Sequence, residues 1–163
     1  MKLLDEQQIQ KKVERLAIQI LENNFGEKLI ILAGINNNGM RFAEMLLENL
    51  EGKTKTKFEL IQLRLNPADP IENEVTIDYP LKKLTNKAII IVDDVANTGR
   101  TLFYAFKPLM DVLPKKVEVA VLVNREHKSF PIQVDYVGMS LATTVQEHIE
   151  VKIKGKRKSV ALS

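Results

Sequence analysis

At 163 residues, with 45% hydrophobic and 28% charged residues, the chain has the size and composition of a globular domain, which excludes a disordered segment. It holds no cysteine, so disulfides, thiolate metal sites and a cysteine nucleophile are excluded together, and no apolar run approaches the roughly 20 residues that a membrane helix needs. A formal net charge of +3 does not demand a nucleic-acid partner, and the opening MKLLDEQQIQKK turns polar too early for a secretory signal, so a cytoplasmic protein with no membrane partner is expected.

Taken in chain order, Ile9, Val13, Leu16, Ala17, Ile20 and Leu21 recur at three- and four-residue steps and predict a helix over 5–24. Asp5 stands ready to cap it, with Gln8 in capping-box position, and Gly26 should end it. Residues 29–33 are a continuous apolar run, as expected of a strand buried on both faces. The run leads into Gly34, Ile35, Asn36, Asn37, Asn38 and Gly39, read as a loop, and then into a second helix with Phe42, Ala43, Leu46, Leu47 and Leu50 facing inward. Residues 58–63 read as the next strand. The stretch 64–80, with Pro67, Pro70 and Pro80, reads as a long irregular loop, which in a compact domain is functional or mobile. Residues 88–92 form another buried strand, followed by DDVANTGRT and a helix from about Thr101 that Pro108 should kink or shorten. Strands are expected at 117–123, 134–137 and 149–153. The basic tail of Lys152, Lys154, Lys156, Arg157 and Lys158 reads as a solvated charged edge ahead of a contact for RNA or phosphate. With no repeat or linker, residues 1–163 read as a single domain.

Strand–helix alternation with apolar strands predicts an α/β fold in which a parallel sheet is covered on both faces. Ligands of such sheets bind at the carboxyl ends of the strands. The segments 34–39 and 93–101 both leave strands at that edge and should lie together.

The most informative segment is IIIVDDVANTGRT. Two carboxylates end an apolar strand, where unpaired buried charge is costly, so they should face solvent, a cation or hydroxyl donors. Asn97, Thr98, Gly99, Arg100 and Thr101 then lead into a helix, where free amides favour an anion, Gly99 allows close backbone approach, and Thr98 and Thr101 add hydroxyls. Acids beside an anion cradle suit a sugar phosphate. The plainer reading, two solvated acids and a capped helix, does not account for Thr-Gly-Arg-Thr at this spacing. The segment is neither a Walker A loop nor a G-x-G-x-x-G fingerprint.

Two acids followed by T-G-x-T resemble the phosphoribosyl pyrophosphate signature of the type I phosphoribosyltransferases. The opening LLDEQQIQKKVERLAIQILENN, the spacing to GINNNG, and AVLVNREHKSFPIQVDYVG are similar to the PyrR family, which joins pyrimidine-operon regulation through RNA to uracil phosphoribosyltransferase activity. The resemblance spans most of residues 3–151 and is poorest over about 64–84. It implies the type I fold, a mostly parallel central sheet flanked by helices with a small hood. It implies an enzyme that transfers phosphoribose from phosphoribosyl pyrophosphate to a nucleobase, uracil, releasing pyrophosphate with Mg²⁺ as cofactor, and a homodimer. By the same resemblance, Asp93 and Asp94 are catalytic, hold the ribose hydroxyls and meet the metal indirectly. Val95, Ala96, Asn97, Thr98, Gly99, Arg100 and Thr101 complete the ribose 5-phosphate site. Gly34, Ile35, Asn36, Asn37, Asn38 and Gly39 meet pyrophosphate through their backbone. Arg125 is a further catalytic residue, with Lys128 toward the pyrophosphate or base; His127 reads equally as a residue on that side or as an ordinary surface histidine.

This chain departs from the family where Asn36 and Asn38 stand in place of Lys and Arg, and where Asn124 replaces an acid. Its irregular loop is shorter and lacks Tyr-Arg-Asp, leaving Arg64 as a shifted substitute. Purine-using relatives carry an acid at the position of Asn97, which cannot titrate, and this favours a pyrimidine acceptor. The first helix keeps Arg15 but has Glu14, Ile18 and Asn23 where the regulators have hydroxyl and basic residues, which weakens phosphate contacts. A nucleotide-responsive RNA-binding regulator with weak or no catalysis is therefore the alternative, not the first reading. A partner-binding domain reusing the fold is the third.

Overall fold

The structure is a computed structural model describing residues 1–142 and 147–163. A short strand, β1 (Lys2–Leu4), precedes the first helix, α1 (Glu6–Asn23). The helix starts where its capping box directs. Asp5 Oδ1 accepts from the Gln8 amide at 2.8 Å, and Gln8 Oε1 accepts from the Asp5 amide at 2.9 Å. The stripe Ile9, Val13, Leu16, Ala17 and Ile20 is buried, while Leu21 at its edge is only partly covered. Asn24 caps the far end, and the chain turns through Gly26 at φ 86°.

There follow β2 (Leu29–Ile35), α2 (Asn36–Leu50), β3 (Lys57–Arg64), β4 (Thr76–Ile77) and a 3-10 turn over Leu81–Leu84. Next come β5 (Ala88–Ala96), α3 (Arg100–Ala105), a second 3-10 turn over Lys107–Asp111, and β6 (Lys116–Arg125). The chain ends in β7 (Tyr136–Leu141), β8 (Ile149–Lys152) and β9 (Ser159–Leu162). Pro108 acts as expected. It falls in the first turn of the second 3-10 segment, and α3 is only six residues long.

The central sheet runs β4-β3-β2-β5-β6-β7, parallel throughout except that β4 lies antiparallel to β3. Alternate residues along its strands build two separate cores. Ile30, Leu32, Ile90, Val92 and Leu122 pack beneath α1 and α2. Ile31, Ala33, Ile89, Ile91 and Val121 pack against Leu102 and Ala105 of α3 and Leu109 beyond it. Burial on both faces is why these strands read as unbroken apolar runs.

Two expectations need correction. The strand placed at 134–137 lies two residues later, because Asp135 Oδ2 accepts from the Val119 amide (2.8 Å) and the ladder with β6 starts at Tyr136. Gly138 then sits where a Cβ would fall 2.4 Å from the Leu122 carbonyl oxygen, so β7 needs glycine at its closest approach to β6. The irregular stretch 64–80 contains β4. The expected small hood is a separate antiparallel sheet of β1, β9 and β8, with β9 in the middle. The basic cluster lies on its β8–β9 hairpin, where Lys154, Lys156 and Arg157 are exposed. Among the described residues, no helix is long and apolar enough to cross a membrane.

Candidate active site

The two acids lie inside β5, not beyond it. The strand continues to Ala96, pairing Asp93 with Val121, Val95 with Val123 and Ala96 with Asn124. Successive side chains point to opposite faces, so the pair is split. Asp94 lies on the face of α2, half-buried. Asp93 lies on the face of α3 and is only 7% exposed, against the expectation that both carboxylates face solvent, a cation or hydroxyl donors. Asp93 Oδ1 accepts from the Asp94 amide at 2.9 Å, and Asp94 Oδ1 accepts from the Val95 amide at 2.9 Å. Burial, then the charge of Asp94 and a hydrogen bond with it, hold the Asp93 carboxyl well above the usual carboxylate range; the Asp94 amide opposes them. Adjacent in sequence, these are two different acids in space.

Beyond Ala96, Asn97 and Thr98 form an exposed ledge. Gly99 follows at φ 88°, a left-handed conformation that favours glycine, and a Cβ there would lie 3.3 Å from Ile132 and 3.4 Å from the Lys128 Cδ. Gly99 has no side chain to cap α3, and the Arg100 amide meets only the Thr98 hydroxyl, at a long 3.4 Å that a ligand oxygen can displace. With α3 so short, any anion preference must come from these local amides and hydroxyls more than from a helix dipole. The Arg100 side chain turns away and donates to the Ala68 carbonyl at 2.8 Å, tying the irregular stretch to this turn. Thr98 is fastened from the other side, its carbonyl accepting from the amides of Ser129 (2.9 Å) and Phe130 (3.2 Å).

The segment 34–39 is not a loop. Gly34 and Ile35 finish β2, and Asn36 to Gly39 form the first turn of α2. Two glycines make so abrupt a junction possible. A Cβ on Gly34 would fall 2.5 Å from the Met40 Cα, and one on Gly39 would fall 2.5 Å from the Val92 carbonyl oxygen. Asn36 takes φ 51°, and its side chain does not face a ligand. Its Nδ2 donates to the Leu65 carbonyl (2.9 Å), its Oδ1 accepts from the Leu65 amide (3.1 Å), and its own carbonyl accepts from the buried Gln62 (3.0 Å). Arg64 in turn donates to Gln62 Oε1 at 2.7 Å. A cavity of about 330 Å³ lies between Asn36, Arg64 and Leu65 on one side and Asn66, Asn73 and Glu74 on the other. Asn37 is exposed. Asn38 crosses to β5, its Nδ2 donating to Asp94 Oδ2 at 3.0 Å. The two segments expected to meet at the carboxyl edge do so through that bond.

At the end of β6, Arg125 is half-buried and donates to the Glu147 carbonyl at 2.5 Å. Lys128 Nζ donates to Asn124 Oδ1 at 2.8 Å and to the Arg125 carbonyl, and its pKa is lowered by burial and by the Arg125 charge. His127 is exposed. Sequence reasoning misses Arg41, whose Nη1 donates to Asn38 Oδ1 at 3.1 Å, although its place three residues beyond Asn38 becomes legible once the helix starts at Asn36. It also misses the roles of Gln62 and of the Leu65 and Ala68 backbone, which depend on contacts between distant parts of the chain. A cleft of about 1050 Å³ lies elsewhere, at the amino ends of β2 and β3, lined by Asn24, Phe25, Lys55 and Phe58 among others.

The model of the phosphoribosyl transferase domain family matches residues 2–154. A protein of Acetivibrio thermocellus named Bifunctional protein PyrR is 37% identical over 162 residues, covering 93% of this chain and 86% of that protein. One of the same name from Alkaliphilus metalliredigens is 36% identical, covering 98% and 93%. Among solved structures, a hypoxanthine-guanine phosphoribosyltransferase of Bacillus anthracis aligns with a TM-score of 0.72 at 23% identity, over 86% of this chain and 81% of that one. A hypoxanthine phosphoribosyltransferase of Trypanosoma cruzi gives the same TM-score at 16% identity, over the same shares of the two chains. These two share the fold, and their identities carry no more than that. Since a domain model spans almost its whole length and relatives match it at more than one residue in three, the chain belongs to the phosphoribosyltransferase family, among the PyrR proteins.

Proposed function

We propose that this enzyme transfers the phosphoribosyl group of phosphoribosyl pyrophosphate to uracil and releases pyrophosphate. The observation that carries the reading is the hydrogen bond from Asn38 to Asp94, which joins the start of α2 to the acid pair and the open turn 97–101 at one sheet edge. In that arrangement the amides of the turn and the Thr98 and Thr101 hydroxyls hold the 5-phosphate. Asp94 accepts from a ribose hydroxyl, and Asp93, poised to keep a proton, completes the sugar site. Breaking the bond between anomeric carbon and pyrophosphate builds positive charge on the ribose and negative charge on the leaving group, so catalysis is mostly positioning and electrostatic stabilisation.

The pyrophosphate side has few charged donors. Asn36 is committed to Leu65, which leaves Asn37 and the uncapped first turn of α2. Among the described residues no cluster of three or more acidic or histidine side chains gathers for a metal. Asp94, the more accessible acid, nevertheless fits magnesium held mainly by substrate oxygens, while Asp93, buried on the opposite face and held toward its protonated form, does not, so the indirect metal contact expected of both falls to Asp94. When bound, the ion would neutralise charge developing on the leaving group. Asn97, exposed and unable to titrate, supports a pyrimidine acceptor over a purine one. Arg15, the basic residue retained on α1, donates to the Val137 (2.9 Å) and Gly138 (2.7 Å) carbonyls, so it serves β7, and this supports the enzyme reading over RNA binding.

Pyrophosphate release on mixing phosphoribosyl pyrophosphate, uracil and Mg²⁺ tests the proposal. Thr98→Ala and Thr101→Ala should each raise the KM for phosphoribosyl pyrophosphate by roughly 10- to 100-fold, the worth of one hydrogen bond to a charged group. Absence of turnover with uracil in folded wild-type protein would defeat it.

A further inference from the structure

The first turns of α2 bring a guanidinium to the acid pair by an indirect route. Asn38 Nδ2 donates to Asp94 Oδ2 at 3.0 Å, and Arg41 Nη1 donates to Asn38 Oδ1 at 3.1 Å. A side-chain amide alone can bond either way round. Here its neighbours remove the choice, since a guanidinium only donates and a carboxylate only accepts. The amide oxygen must face Arg41 and the amide nitrogen must face Asp94. The carboxylate alone already sets which end of the amide faces it; what Arg41 adds is a second anchor, which holds the exposed Asn38 side chain against Asp94 instead of leaving it free to swing into solvent. The relay also leaves Asp94 competent. Its Oδ1 accepts from the Val95 amide at 2.9 Å and its Oδ2 from Asn38, so each oxygen keeps a lone pair for an incoming hydroxyl.

Arg41 is well placed for this task. It is half-buried, and among the described residues it forms no ion pair, although Glu44 follows three residues later on the same helix. Its position depends on the first turn of α2 lying against β5 at Gly39, so the relay is built into the helix–sheet junction. Asn36 and Asn38 carry no charge, yet through Asn38 a cation still acts on the site.

We infer that Arg41 is a positioning residue for the sugar phosphate: acting through Asn38, it holds the Asp94 carboxylate in the orientation that receives the ribose hydroxyls. The inference rests on the reading of the site proposed above. A double-mutant cycle tests it, using wild type, Arg41→Ala, Asn38→Ala and the double variant. Binding of phosphoribosyl pyrophosphate with Mg²⁺ is measured by calorimetry, KM and kcat by uracil turnover, and folding by thermal melts. Arg41→Ala should weaken binding about 5- to 10-fold and raise KM alike, with kcat changed by less than about twofold. Arg41→Lys, which keeps a donor-only cation, should recover most of the loss. The double variant should bind no worse than Asn38→Ala alone. Wild-type affinity in Arg41→Ala, or penalties that multiply in the double variant, would overturn the relay while leaving the site intact. A folded wild-type protein that binds no phosphoribosyl pyrophosphate would overturn the reading of the site and the relay with it.

Discussion

Asp93 and Asp94 share a chemical identity and differ in everything their surroundings decide. The raised pKa of Asp93 has a consequence for stability. Between the ordinary carboxylate value of 3.8 and the raised folded value, the folded chain holds more protons than the unfolded chain. Asp93 therefore helps stability most below 3.8, and that help is lost as pH rises through the folded value. Asp93→Asn, which cannot ionise, should melt above wild type near neutral pH. The gap should narrow as pH falls toward 3.8, which thermal melts across a pH series would check; a gap independent of pH would refute the assignment. The asparagines make the same point. Asn36 and Asn38 are two residues apart in one motif, yet one fastens Leu65 and the other reaches Asp94. Nothing in Asn-Asn-Asn tells them apart, because the difference arises from which distant segment each side chain meets.

Elements with strong local signals are legible from sequence. α1 has its cap residues, its apolar stripe and a terminating turn, all set by neighbours within four positions. The strands β2, β5 and β6 announce themselves as apolar runs because both faces are buried. The junction between β2 and α2 is the instructive failure, since glycines flanking polar residues suggest a loop. Here they permit contact instead: Gly39 lets the helix rest directly on Val92. Gly39→Ala would put a Cβ 2.5 Å from the Val92 carbonyl oxygen and force the first turn of α2 outward. We expect a stability loss of about 1–3 kcal/mol by urea denaturation, with a parallel loss of phosphoribosyl pyrophosphate affinity as Asn38 leaves Asp94. An unchanged midpoint would mean that the helix does not need this approach.

At the scale of the molecule, the chain ends are tied together. Strand β9 lies between β1 and β8, the Met1 amine donates to the Leu162 carbonyl at 2.6 Å, and Val160 is buried in the core beneath α1 along with Leu4 and Ile149. Removing residues 159–163 would strip both neighbouring strands of their partner and uncover that side of the core. A loss of at least about 3 kcal/mol is expected from the uncovered Val160, Leu162 and their neighbours, read as a lower denaturation midpoint. Unchanged stability would make the hood an appendage and not part of the folding unit.

Sequence alone determined the α/β class, the main helices and strands, and the acid pair with its Thr-Gly-Arg-Thr turn, because these depend on periodicity, burial and residue chemistry within a short window. Tertiary structure decided the rest. It buried Asp93 and left Asp94 accessible, gave Asn36 to the irregular stretch and Asn38 to the site, enlisted Arg41, and paired the two ends of the chain. Each of those outcomes depends on what lies across a contact between segments far apart in sequence, where local preference carries no information.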